Sequence, residues 1–261
     1  MQGCNGQIKG RVHSVETLGA LDGPGLRYIV FLQGCPLRCM YCHNVDTRSC
    51  ASGMLVSAVD QTNEILRYRS YLTGGLTISG GEPLMQPEFV RELICLCHEK
   101  ANLHCAIDTS GGVSLASSRQ AIEEADLLLL DIKGFSDKTS EELTGQNMEN
   151  ARETLTYCEK IKKPVWIRHV LVPGYTLFEG REDTLAMTYE KFVQMNPALV
   201  DGAEWLSEFT CIQKIELLPY HRLGEFKWKN MNLPYPLGDT PEPSEDSVRF
   251  AERIFGIPYQ E

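Results

Sequence analysis

Three cysteines fall within eight residues, in the run Cys35-Pro36-Leu37-Arg38-Cys39-Met40-Tyr41-Cys42. A cubane iron–sulfur cluster has four irons, each held by a thiolate or a substitute. Thiols spaced C-x3-C-x2-C can hold three corners from one loop. The fourth iron is then open to an outside chelator, as a catalytic zinc keeps one position open. The same spacing also suits a structural zinc site with a remote fourth cysteine, or a set of buried thiols.

The rest of the chain narrows the class. Its 261 residues are enough for a sizeable core, as one barrel-sized domain or two small ones. The formal net charge of −10 repels phosphate backbones, which argues against a nucleic-acid partner. No run approaches the roughly 18 consecutive apolar residues of a membrane span. The start is polar and Gly-rich, without the apolar core of a leader. The expected location is therefore cytoplasmic. There, ten cysteines point to metal or buried thiols rather than disulfides. Cys4, Cys50, Cys95, Cys97, Cys105, Cys158 and Cys211, outside the motif, default to the core.

Short apolar runs alternate with helical patterns. Strands are expected at 27–33, 76–79, 103–108, 127–132, 165–172 and 212–218. Helices are expected at 59–71, 87–100, 117–124, 140–162, 183–195 and 244–255, the last capped by Ser244 or Ser247. Residues 178–208 are rich in acidic side chains and extend a barrel helix on this reading. Residues 233–243 hold four prolines and read as an irregular loop. Strands separated by helices imply parallel βαβ units. Six such units suit an α/β fold, either an incomplete (β/α)6 barrel or a doubly wound sheet. The barrel is preferred because polar or special residues follow the strands: Gly34-Cys35, Gly80 to Glu82, Asp108 to Ser110, Asp131 to Lys133 and Pro219 to His221. Active sites of βα barrels sit at that end. The whole chain, 1–261, is expected to form one domain, with a core over about 9–230 and a C-terminal extension over 231–261.

With an aromatic, Tyr41, before the last cysteine and Gly80-Gly81-Glu82-Pro83 downstream, the chain resembles the radical S-adenosylmethionine (SAM) superfamily. Further segments agree in order: Asp22-Gly23-Pro24-Gly25, Tyr41-Cys42-His43-Asn44, Asp108-Thr109, Leu130-Asp131-Ile132-Lys133, Val165-Trp166-Ile167-Arg168 and Glu216-Leu217-Leu218-Pro219-Tyr220-His221. Together they resemble the activating enzymes of glycyl radical enzymes, of the pyruvate formate-lyase type. Other activases of this kind carry two further cysteine clusters before Gly-Gly-Glu. Here only Cys50 lies between Cys42 and Ser79.

The resemblance implies roles for individual residues. Cys35, Cys39 and Cys42 would hold a [4Fe–4S] cluster, whose open iron is chelated by the amine and carboxylate of SAM. The turn Gly80, Gly81 and Glu82 would meet the SAM amine through its backbone; glycines permit such close approach, and a plain strand-to-helix turn is the alternative. Tyr41 and His43 would pack near the adenine. Asp131, Ile132 and Lys133 would bind SAM's hydroxyls and carboxylate, or Asp131 and Lys133 would form a mutual salt bridge. His221 would contact the ribose or adenine. Asp108 and Thr109 would hold a monovalent cation near the SAM carboxylate. Asp22 would accept from the backbone of a bound peptide, with the loop 17–25 preceding the first strand and lining the mouth; its composition alone also suits a tight turn.

The implied reaction is reductive cleavage of SAM. The 5′-deoxyadenosyl radical abstracts hydrogen from a glycine Cα of a glycyl radical enzyme. The implied reductant is a flavodoxin- or ferredoxin-type protein, and the chain is expected to be a monomer. Two other readings stand beside it: a radical SAM enzyme acting on a small molecule, and an iron–sulfur electron carrier or zinc-stabilised binding module.

Overall fold

The frame is one eight-stranded sheet. A computed structural model describes residues 6–179 and 187–258. Strands are β1 (Lys9–Gly19), β2 (Arg27–Leu32), β3 (Met54–Ser57), β4 (Gly75–Gly80), β5 (Cys105–Thr109), β6 (Leu127–Asp131), β7 (Val165–Leu171) and β8 (Ile212–Pro219). Helices are α1 (Ala58–Leu66), α2 (Pro87–Ala101), α3 (Leu115–Glu124), α4 (Asp137–Thr144), α5 (Glu149–Ile161), α6 (Tyr189–Met195), α7 (Pro197–Ser207), α8 (Glu225–Asn230) and α9 (Glu245–Ile254).

Strand order is β3-β1-β2-β4-β5-β6-β7-β8. From β2 to β8 every neighbouring pair is parallel and follows chain order. That sequential order is a barrel's winding; a doubly wound sheet would reverse direction partway. β3 and β8 end the sheet and do not pair with each other, so the barrel is incomplete, with the six parallel strands expected. β1 and β3 add an antiparallel edge that sequence reading did not foresee. β1 is largely polar and mostly solvent-facing, with only Val12 in the main apolar core, so its pattern resembled a loop. The loop 17–25 accordingly begins inside β1 instead of ahead of the first strand.

The period of two along each strand sorts the side chains into two sets. Leu76, Ile78, Cys105, Ile107, Leu128, Leu130, Val165 and Ile167 face the helices and join Phe89, Val90, Leu93 and Leu155 in the main core. The alternate residues face the barrel axis. Ala106, Leu127, Leu129 and Trp166 form an apolar floor. Two residues further along the same faces come Asp108, Asp131 and Arg168. The floor is therefore apolar, and the charges gather at the C-terminal ends of the strands.

The single helix expected over 140–162 is two helices. Gly145 adopts φ 79° and its N–H closes on Glu141 O, ending α4 before α5 starts at Glu149. α7 and α8 were not anticipated. The helix expected at 183–195 is α6 from Tyr189 onward, and 183–186 lie outside the described residues. Cys4 also lies outside them. Ser244 caps α9 by accepting from Ser247 N. Cys97, Cys105, Cys158 and Cys211 are buried, as the default had it, but Cys50 is exposed. No helix among the described residues is long and apolar enough to cross a membrane.

Candidate active site

The cysteine loop leaves β2 and is held from two sides. Within the loop, Gly34 N donates to Thr47 O at 2.7 Å, closing it on itself. Arg38 N and Met40 N then donate to Thr144 O and Leu143 O at the end of α4, at 2.7 and 2.8 Å. The turn after β4 packs directly on this loop: Gly81 N donates to Leu32 O and Glu82 N to Gly34 O. A Cβ on Gly80 would lie 2.2 Å from Leu32 N, and one on Gly81 would lie 2.4 Å from Gly34 O. The two glycines are therefore required for loop-on-loop contact, and both also face the cavity.

That cavity, of about 540 Å³, opens at the C-terminal ends of the strands. Cys35, Cys39 and Cys42 all line it as free thiols, each partly exposed. Burial pushes the Cys35 thiol up to about 12 and the Cys39 thiol up to about 11, with Lys133 pulling Cys39 back. Such thiols stay protonated until a metal displaces the proton. Three thiols that face one cavity from one loop fit three corners of a [4Fe–4S] cluster and leave the fourth iron open.

Opposite the thiols stand the charges on the strand ends. Asp131 Oδ2 accepts from Lys133 Nζ at 2.7 Å, so the mutual salt bridge forms, and both residues line the cavity. Burial works against the Lys133 charge, but Asp131, Tyr41 and Cys39 outweigh it and hold its pKa well above the usual lysine range. Asp108 Oδ2 accepts from Ser79 Oγ at 2.7 Å. Burial lifts the Asp108 carboxyl to about 6, even with Arg168 opposing. Its Oδ1 is buried without a hydrogen-bond partner. Beside it, Thr109 turns its hydroxyl away to Glu82 Oε1 at 2.7 Å. Thr109 nonetheless lines the same cavity as Asp108 and Asp131.

Glu82 does not line the cavity. Its fully buried carboxylate accepts from Leu84 N, Thr109 Oγ1, Ser110 N and Ser110 Oγ at 3.1, 2.7, 2.9 and 2.6 Å. It latches the Gly-Gly turn to the end of β5. Ile132 is also absent from the cavity wall and belongs to the helix-side core, as the strand period requires. Tyr41 is buried between Leu143, Val172, Tyr220 and Leu237 and presents one edge to the cavity. His43 and His221 both line the rim and stack, with ring centroids 4.3 Å apart and planes at 25°. Burial lowers the His43 pKa.

Arg168 was missed as a site residue. Its guanidinium lies 3.3 Å from Asp22, 3.4 Å from Asp108 and 3.5 Å from Glu216. Burial disfavours its charge, yet the surrounding carboxylates raise its pKa beyond the ordinary value. The signal was available: Arg168 is an inward position on β7, two residues beyond the floor residue Trp166. Asn44 also lines the cavity.

Comparison with known proteins follows the same lines. Residues 29–187 match the model of the Radical SAM superfamily. A pyruvate formate-lyase-activating enzyme of Staphylococcus aureus (strain USA300) is 40% identical over 256 aligned residues, covering 94% of this chain and 95% of that protein. Among solved structures, a domain of a pyruvate-formate lyase-activating enzyme from Bacteroides vulgatus superposes with TM-score 0.53 at 22% identity, covering 70% of this chain and 93% of that one. Streptococcus suis SuiB, solved with its precursor peptide SuiA, superposes with TM-score 0.62 at 16% identity over 87% of this chain and 44% of its own. At these identities the two structures speak for the fold.

Proposed function

The chain belongs to the radical SAM superfamily and, within it, to the pyruvate formate-lyase-activating enzymes, and from that premise we propose that it activates a glycyl radical enzyme of the pyruvate formate-lyase type. In the proposal, Cys35, Cys39 and Cys42 hold the [4Fe–4S] cluster and leave its fourth iron to SAM. When bound, the cluster and SAM together supply an electron to the sulfonium and a 5′-deoxyadenosyl radical that takes hydrogen from a glycine Cα.

The chain's own residues bind, orient and exclude. The Gly80-Gly81 backbone meets the SAM amine. Lys133 pairs with the SAM carboxylate and Asp131 accepts from its hydroxyls, so each member of the ion pair gains a polar partner in SAM. The stacked rings of His43 and His221 offer an aromatic face to the adenine. Asp108, with Asp131, takes a monovalent cation. Asp22, at the lip, accepts from the backbone of the partner's glycine loop. The apolar floor under Asp108, Asp131 and Arg168 keeps water from the radical.

The observation that carries this reading is the sharing of one cavity by the three thiols, the Asp131–Lys133 pair and Asp22. The 40% identity to an activating enzyme supports the choice of partner. Residues 231–258 are taken as part of the same domain, because Tyr235 and Leu237 pack on Tyr41 and Ala251 of α9 packs on Leu171 and Leu217. A flavodoxin- or ferredoxin-type reductant, a monomeric state and a cytoplasmic location complete the proposal.

Anaerobic reconstitution followed by SAM titration tests it. The expected result is about four irons per chain and a reduced-cluster EPR signal that SAM perturbs. Cys35→Ala, Cys39→Ala and Cys42→Ala each abolish both, while Cys50→Ala leaves them intact. One bound zinc, or a cluster indifferent to SAM, returns the chain to the rival readings.

A further inference from the structure

Each motif cysteine has its backbone carbonyl capped by a side-chain donor that brings no thiol to the site. Arg38 Nη1 donates to Cys35 O at 2.9 Å, Arg48 Nη2 to Cys39 O at 2.7 Å, and Trp228 Nε1 to Cys42 O at 2.8 Å. The second and third donors brace each other, since the Arg48 guanidinium lies 4.6 Å from the centroid of the Trp228 ring. Trp228 is 4% exposed on α8. That helix is fastened to the same loop by Lys227, whose Nζ reaches Asn44 Oδ1 at 2.8 Å and Asp46 Oδ1 at 3.2 Å.

These caps exceed what the loop needs to hold its shape. Its backbone is already tied to Thr47, Leu143 and Thr144. Two of the three caps are cations, in a chain whose net charge is −10. Moreover, Arg48 Nε is buried with no hydrogen-bond partner. A buried guanidinium nitrogen with an idle donor is costly unless an acceptor or an anionic group lies close by. The capped carbonyls belong to residues that would carry such a group.

We propose that Arg48, braced by Trp228, is a positioning residue that sets the reduction potential of the cluster, with Arg38 a weaker contributor. The inference rests on the reading that the three cysteines hold a [4Fe–4S] cluster. Reduction adds one electron and one unit of negative charge to the cluster. Nearby positive charge favours that state. Arg48 is half-buried and acts through little water, whereas Arg38 is exposed and screened by solvent and salt.

The test is a redox titration of the anaerobically reconstituted full chain with dithionite, without SAM, read by EPR, with iron counted per chain. Arg48→Met lowers the reduction equilibrium about tenfold, equal to a midpoint more negative by about 59 mV for one electron. Arg48→Lys restores most of the loss. Trp228→Phe keeps the ring but not the donor and shifts the midpoint the same way by less; Arg38→Met shifts it least. Unchanged midpoints at full iron content overturn the proposal. So does loss of iron from both Arg48→Met and Arg48→Lys, which would leave Arg48 with only the loop's folding. If Arg48→Met alone sheds iron, Trp228→Phe decides on the same criterion. A wild-type chain that binds no cluster overturns the underlying reading instead.

Discussion

Arg168 and Asp22 stand 146 residues apart in the chain, yet their guanidinium and carboxylate lie 3.3 Å apart at the lip of the cavity. Arg168 Nη2 also donates to Leu21 O at 3.2 Å, so one inward side chain of β7 holds the loop that follows β1. Leu21 itself is 81% exposed beside the opening. Asp22 is thus held in a fixed position at the opening, while Arg168 keeps Asp108 and Glu216 if Asp22 is removed.

Asp22→Ala therefore lowers kcat/KM for a glycine-centred peptide by roughly 10- to 100-fold, the value of a hydrogen bond to a charged group. SAM affinity and uncoupled SAM cleavage stay at wild-type levels. Equal losses of SAM binding and peptide turnover would place Asp22 in the SAM site or the fold instead.

On the proposed reading, Asp131 binds SAM while Glu82 supports the turn. Asp131→Ala, Lys133→Ala and His221→Ala each weaken SAM binding, by roughly tenfold or more for the charged pair, with iron content unchanged. Glu82→Ala acts differently, because it strips four donors of a buried acceptor, each costing about 1–3 kcal/mol. It lowers the melting temperature and iron retention together. Calorimetry beside iron analysis checks both. Iron lost from the Asp131 variant, or a stable Glu82→Ala chain that merely binds SAM weakly, contradicts this division.

How much of this was legible in the sequence follows from range. The six parallel strands were visible because each is an apolar run between turn signals, and the cysteine loop because its spacing is local. β1 and β3 were not, since their side chains are mostly exposed or half-buried and carry no apolar alternation. The Gly145 break inside residues 140–162 was a readable stop signal that the helical pattern around it masked. At the site, Cys35, Cys39, Cys42, Asp131 and Lys133 fall on one cavity as their positions after strands suggested. Glu82 and Ile132 do not line it: the first turns inward to cap the end of β5, and the second has the wrong strand parity. Arg168 draws its importance from Asp22, Asp108 and Glu216, three partners on three elements, which only the fold brings together.

At the other end of β5, His98 Nε2 lies 2.9 Å from Asp126 Oδ2. The hydrogen bond to Asp126 raises the His98 pKa, against the pull of partial burial. A histidine with a raised folded-state pKa adds stability that is full below its unfolded pKa of about 6.5 and is lost as pH rises through the folded value. Wild type therefore exceeds His98→Gln in stability at pH 6, by about 1 kcal/mol or less, roughly 2–4 °C in melting temperature for a chain this long. By pH 9 the gap closes. Thermal melts at the two pH values decide it, and a pH-independent gap would show that His98 contributes by packing alone.

The central claim is that hydrogen leaves a glycine of a partner protein. A glycyl radical enzyme, or a short peptide centred on its glycine, is made with deuterium on that Cα and incubated anaerobically with the reconstituted chain, SAM and a reductant. Mass spectrometry of the 5′-deoxyadenosine formed is the direct test. The account predicts deuterium in the 5′-deoxyadenosine and a glycyl radical signal in the partner. Deuterium that never transfers from the glycine, but does transfer from a labelled small metabolite, would contradict it.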